Sequence, residues 1–242
     1  MKQVAGWRRN ECRLAVDSFL HVEYHLRAAP PGGHSLAERS PFVSYPATFD
    51  IQMPKEFDKA QVVLRILIVL VLVLLQIGNF LLAGAYLFLP IVAAVMISQN
   101  GPQQYLDEAQ AGPVKWLRYI MMIYAYMALA TDKLPTEDPE EVVQLNVTAT
   151  GSPSVGQALL RIILAIPHAI VLGLIGIAFF VVWIVAAVSI FMNGSYPQWA
   201  ADFIRGYLRW NARLLAYMAS LVDEYPPFSF SNGSLPELPA PQ

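Results

Sequence analysis

The chain has 242 residues, enough for one or two domains; 56% are apolar and only 14% charged, with a formal net charge of −2. Soluble domains carry about a quarter charged residues, and the mean hydropathy here is +0.45. This composition excludes a disordered chain, a nucleic-acid binder with a basic face and an ordinary soluble enzyme, and it points to a polytopic membrane protein.

The N-terminal arm, residues 1–43, carries Arg8, Arg9 and Arg13 but no continuous apolar stretch after them, because Asp17, His21, Glu23 and His25 interrupt it. A cleavable secretory signal is therefore not expected, and an extramembrane arm is. Cys12 is the single cysteine, so no internal disulfide can form. His21 and His25 stand four apart but lack the His-Glu-x-x-His order and a third ligand, so the spacing reads as an ordinary polar helix face and no metal site is expected.

Tyr45–Gln52 alternates with period two and reads as a strand, as does Val142–Thr150 further on. Each precedes a long apolar block. The first block runs from Val62 to Ser98 with one early charge, Arg65, and the second from Leu159 to Met192 with Arg161. Both exceed the roughly 18 residues that indicate a membrane span. As one straight helix the second would reach about 50 Å, so each block is either a hairpin of two short spans or one long, tilted or bent helix. Gln76, Gly78 and Asn79 in the first block, and Gly173 and Gly176 in the second, favour hairpins, and hence four spans. Arg65 and Arg161, at the block edges, read as snorkelling anchors.

An Asn-Gly turn follows each block, at Asn100-Gly101 and Asn193-Gly194, and then a helical segment. In the second segment Phe203, Tyr207, Trp210, Leu214, Tyr217 and Leu221 form an apolar stripe, with Arg205, Arg209 and Arg213 on another face. Such a helix can lie at the interface, its arginines toward lipid phosphates; the alternative is packing on its sister helix with the arginines paired to carboxylates. The first segment keeps Trp116 and Arg118 but has Val114 and Met122 where the second has arginines. Contacts with lipid or a partner are therefore expected at Arg205, Arg209, Arg213, Trp210, Arg118 and Trp116.

The order of elements repeats, and residues repeat with it. Leu117-Arg118-Tyr119 matches Leu208-Arg209-Trp210, Ala125-Tyr126-Met127-Ala128 matches Ala216-Tyr217-Met218-Ala219, Asp132 matches Asp223 and Pro135 matches Pro226. The expected architecture is an α-helical integral membrane protein built as a tandem repeat, with membrane repeats at residues 44–136 and 137–230 and a proline-rich tail at 231–242. Equivalent strands are expected to pair or stack, which places them on one side of the membrane and gives a parallel repeat.

Inside the second block, Pro167-His168 places an ionisable side chain in a span, where function is the default hypothesis. The residues favour a kink with an interfacial histidine bonded to backbone. His168, Arg161 and Arg65 are the intramembrane candidates. There is no glycine-rich phosphate loop, no Gly-x-Ser-x-Gly elbow and no paired carboxylates within a span, so no catalytic residue, cofactor or enzymatic activity is expected.

Several of these residues together resemble a known family. Arg161, Pro167 and His168; Asn193, Gly194, Tyr196 and Pro197; Arg209 and Trp210; and Asp223, Tyr225, Pro226, Pro227 and Phe228 resemble bacterial membrane proteins grouped as domain of unknown function 4389. The resemblance is strong over Leu145–Phe230 and weaker over Tyr45–Pro135. It implies a multi-pass protein of the bacterial inner membrane and no particular activity. The expected role is a structural or accessory subunit of a larger membrane complex, in contact with lipids and other subunits; the alternative is a small transporter, channel or lipid-handling protein.

Overall fold

The computed structural model describes residues 45–74, 77–134 and 138–231. The chain splits between residues 41 and 42, and the described residues belong to the second unit. Cys12, His21 and His25, the N-terminal arm, Gln76, Pro135 and the tail beyond Ser231 lie outside the described residues.

The fold is mostly helical with one small sheet. Strand β1 (Ala47–Ile51) pairs antiparallel with β2 (Val143–Val147), so the two expected strands do meet, in a register centred on Phe49 opposite Leu145. Ala47, Phe49, Ile51, Val143, Leu145 and Val147 are buried while the residues between them are not. Period-two alternation thus gives the sheet one wet face and one dry face. Two five-residue strands are marginal alone. The dry face is held by two amphipathic helices, α4 (Pro113–Met127) against β2 and α7 (Gln198–Met218) against β1.

The apolar blocks form the remaining helices. The first gives α1 (Lys59–Leu74) and α2 (Ile77–Asn100), followed by the short α3 (Pro102–Asp107). The second gives α5 (Val155–Leu164) and α6 (Ile166–Asn193). The hairpin expected in the second block does not form, because α6 runs unbroken through Gly173 and Gly176. A glycine inside a helix costs only about 1 kcal/mol, less than leaving the backbone groups of a turn unbonded among apolar side chains. The interruption falls instead at Ala165, two residues ahead of Pro167, whose missing N–H is tolerated in the first turn of a new helix.

Residues Val155–Asn193 make up, among the described residues, one helix long and apolar enough to cross a membrane. Only 17% of its most apolar window is buried, whereas the core helix of a soluble protein would be mostly covered. Leu174, Ile177, Phe180, Phe191 and Met192 are exposed, and the first block exposes Leu67, Val71, Phe88 and Val92.

The start of each block packs beside the end of the other: α1 on α6, and α2 on α5. All four block ends also meet the amphipathic helices or their flanking loops. The Asp58 backbone N–H donates to Asp132 Oδ2, Tyr105 donates to the Ala219 carbonyl, Arg161 donates to the Tyr217 carbonyl, and Phe57 N–H donates to the Gly194 carbonyl ahead of α7. The order of layers is therefore sheet, amphipathic helix pair, apolar helices.

Helices α4 and α7 end alike. The Ala130 N–H donates to the Ala125 carbonyl at 2.8 Å, and the Leu221 N–H to the Ala216 carbonyl at 3.2 Å. The second residue after each helix, Leu129 (φ 59°) or Ser220 (φ 56°), is left-handed, a helix stop usually given to glycine.

Candidate functional site

Arg65 and Arg161 enter the fold from the first turns of the apolar blocks. Both are buried, Arg65 completely and Arg161 to within 4%. They do not snorkel outward: Arg65 Nη2 meets Asp132 Oδ1 at 2.8 Å, and Arg161 Nη2 meets Asp223 Oδ1 at 2.7 Å. Each guanidinium also lies over a tyrosine ring, Arg65 on Tyr126 at 4.1 Å and Arg161 on Tyr217 at 4.5 Å. The reason is the left-handed stop of α4 and α7, which sends the chain back so that an aspartate lands beside the tyrosine in the last turn of the helix. Asp132 and Asp223 were legible as matched positions, but their pairing with Arg65 and Arg161 was not read from the sequence. Matched arginines followed by matched aspartates at both places were the available signal.

The two arginines are not equally satisfied. Arg161 Nη1 donates to the carbonyls of Tyr217 (2.5 Å) and Val222 (2.6 Å), so it ties the end of α7 to the loop that follows. Arg65 leaves Nε and Nη1 without partners among the described residues.

His168 lies two residues into α6 and is fully buried. The Trp210 indole N–H donates to its Nδ1 at 2.9 Å, a side-chain bond in addition to the expected backbone interaction, which the Pro226 carbonyl supplies. With Nδ1 accepting, a neutral His168 carries its proton on Nε2. That atom has no hydrogen-bond partner by geometry among the described residues, although the Pro226 carbonyl lies close enough to interact. Phe228 stacks on the imidazole at 4.0 Å and 8°, and Tyr225 closes the third side at 4.8 Å. Trp210 meets both His168 and Phe228 edge-on. Proline at 226 and 227 cannot continue a helix, which lets Tyr225 and Phe228 fold back over α6. The buried candidate residues His168, Arg161 and Trp210 are therefore joined in one cluster with the more exposed Asp223, Tyr225 and Phe228.

The α7 arginines face the sheet and the tail. Arg205 donates to the Ile51 carbonyl and pairs with Asp202 at 2.9 Å. Arg209 donates to the Phe49 carbonyl and meets Asp50 at 3.0 Å. Arg213 is buried and donates to the carbonyls of Ser229 and Ser231. Burial lowers its pKa to about 10, which leaves it charged at neutral pH. In α4, Arg118 donates to the Leu145 carbonyl and pairs with Glu140 at 2.6 Å. These side chains thus satisfy strand carbonyls that helix packing removes from water. Trp116 is 69% exposed, and Trp199, which the sequence reading passed over, is also exposed at the start of α7.

No group of three or more His, Cys, Asp or Glu capable of holding a metal occurs among the described residues. A family model described as Domain of unknown function (DUF4389) matches residues 156–229. That stretch carries Arg161, His168, Trp210, Asp223, Tyr225 and Phe228, so the matched segment holds the whole cluster. The match does not extend to the first half of the chain. No curated protein and no solved structure matches the sequence.

Proposed function

We propose that this chain is an integral membrane protein acting as a structural or accessory subunit, with its apolar helices among acyl chains and its sheet in water. The observation that carries this reading is the combination of a bare apolar layer with inward-facing charge. Helix α6 leaves Leu174, Ile177 and Phe191 more than half exposed, while Arg65, Arg161 and Arg213 are buried in internal contacts. Contiguous exposed apolar surface of that kind marks a membrane or protein interface.

The layer order supports a placement in which the amphipathic pair lies between the sheet in water and the apolar helices in the bilayer. The sheet cannot enter hydrocarbon, since its unpaired edges would lose their water partners. The chain is then a multi-pass or re-entrant protein of the bacterial inner membrane, built from two tandem copies of strand, apolar block and amphipathic helix. The repeated Arg–Asp–Tyr contacts, the matching left-handed helix stops and the strand pairing support that duplication. Trp116 and Trp199 are suited to the interface, where aromatic side chains concentrate.

Two measurements test this reading. The full chain should stay in the membrane pellet after alkaline carbonate washing; release into the supernatant would overturn the membrane placement. After mild detergent extraction from native membranes it should co-migrate with other membrane subunits, and a chain that always migrates alone would overturn the accessory role.

A further inference from the structure

A cavity of about 760 Å³ lies between the apolar helices and the amphipathic pair, within the roughly 300–1,000 Å³ range of small-molecule sites. Helices α1, α2, α4, α6 and α7 all contribute to its wall. Apart from four polar side chains the described lining is apolar, and it includes no charged residue.

The four polar residues, Tyr86, Tyr124, Tyr207 and Asn211, form a single patch. Tyr86 donates its hydroxyl to Asn211 Oδ1 at 2.5 Å, and Asn211 Nδ2 donates to the Tyr207 carbonyl at 2.8 Å. The Tyr124 phenol interacts electrostatically with those of Tyr86 and Tyr207. Its hydroxyl is buried with no hydrogen-bond partner among the described residues. A buried hydroxyl left unbonded is costly, and a ligand that supplies one donor or acceptor removes that cost.

We infer that this cavity binds a neutral single-chain lipid: an alkyl or isoprenoid chain ending in a hydroxyl or carbonyl head. The head bonds Tyr124 beside Asn211, and the chain lies along Leu172, Ile177 and Phe180. A carboxylate or phosphate head is disfavoured, because burying an ion without a countercharge is far more costly than burying a hydroxyl that finds a partner. The inference rests on the membrane reading only for the ligand's route of entry.

Trp183 lines the cavity and provides the signal. The full chain, delipidated and held in amphipol, is titrated with a dibromostearoyl monoglyceride and, separately, with dibromostearate at pH 8. The share of fluorescence lost in Trp183→Phe defines the Trp183 signal. The monoglyceride should quench that share saturably, and the carboxylate should bind at least tenfold more weakly. Tyr124→Phe, which keeps the ring and loses the hydroxyl, should weaken binding roughly fivefold. A Cβ at Gly173 meets nothing within 4 Å, so Gly173→Leu should fill the space and abolish quenching while the thermal midpoint is kept. No saturable quenching, equal response to both probes, or unchanged quenching in Gly173→Leu overturns the inference. Extraction of protein from native membranes identifies the source. A neutral single-chain lipid near one per chain makes the occupant a bilayer component, and an empty extract with saturable probe binding makes it a free ligand. Carbonate-resistant protein that fails to bind overturns the cavity assignment alone and leaves the membrane reading standing.

Discussion

The two halves of this molecule make the same contact with different completeness. In the first, Arg65 meets Asp132 over Tyr126; in the second, Arg161 meets Asp223 over Tyr217. Among the described residues, only Arg161 also binds two backbone carbonyls, and only the second half closes an aromatic cluster around a histidine. Shared chemistry thus serves as a clasp in both halves, but in the second it organises the following loop as well. Position 122/213 shows the same divergence: Met122 packs in the first half, while Arg213 at the corresponding place in α7 holds Ser229 and Ser231. A buried ion pair contributes little when its desolvation is incompletely offset, and more when every donor has an acceptor.

The largest expected effect tests that difference directly. Arg161→Met should destabilise the detergent-solubilised protein by about 3 kcal/mol, because two carbonyls and Asp223 lose their donor together. Arg65→Met should cost about 1 kcal/mol, since only one hydrogen bond is lost and two unpartnered nitrogens leave with it. Thermal unfolding followed by tryptophan fluorescence compares them; equal losses would break the contrast between the halves.

The left-handed stops should respond with opposite signs. Leu129 is fully buried, so Leu129→Gly should lose about 2 kcal/mol of packing even after strain is relieved. Ser220 buries a hydroxyl that finds no partner among the described residues. Ser220→Gly removes both that hydroxyl and the left-handed penalty, and should stabilise by about 1 kcal/mol. Denaturant midpoints of the two variants settle the signs, and a destabilised Ser220→Gly would give both stops the same sign and break the contrast.

A smaller effect concerns the histidine found in one half only. His168→Leu leaves the Trp210 indole N–H buried and unbonded, for a loss of about 1.5 kcal/mol. The same change in a Phe228→Ala background should cost less, because the ring already lacks its stacking partner. Additive losses in a double-mutant cycle would remove the case for a coupled cluster.

Much of this arrangement was legible along the chain. Period-two alternation placed strands over Tyr45–Gln52 and Val142–Thr150, which contain the observed Ala47–Ile51 and Val143–Val147, and the apolar stripe of α7 placed its buried face. The helix interruption was misplaced, because Gly173 and Gly176 break a helix in water more readily than among apolar side chains, and the effect of Pro167 falls upstream of itself. Arg65 and Arg161 were seen at the correct places but sent outward. Their direction depends on Asp132 and Asp223, 67 and 62 residues away, and local spacing carries no information about such partners. The strand carbonyls that Arg205 and Arg209 meet were not legible for the same reason: a basic face looks alike in sequence whatever it touches.

The strand pairing has a consequence for biosynthesis. Ala47 sits opposite Val147, one hundred positions later, and Ile51 opposite Val143. At roughly 5–20 residues per second, β1 emerges several seconds before its partner exists. During that interval Asp50 lacks Arg209, and the carbonyls of Phe49 and Ile51 lack the guanidinium groups that will cap them. The first half can thread its helices but cannot finish its water-facing layer until the second is made, so a chain truncated between the halves exposes a bare strand edge to whatever pairs with it first.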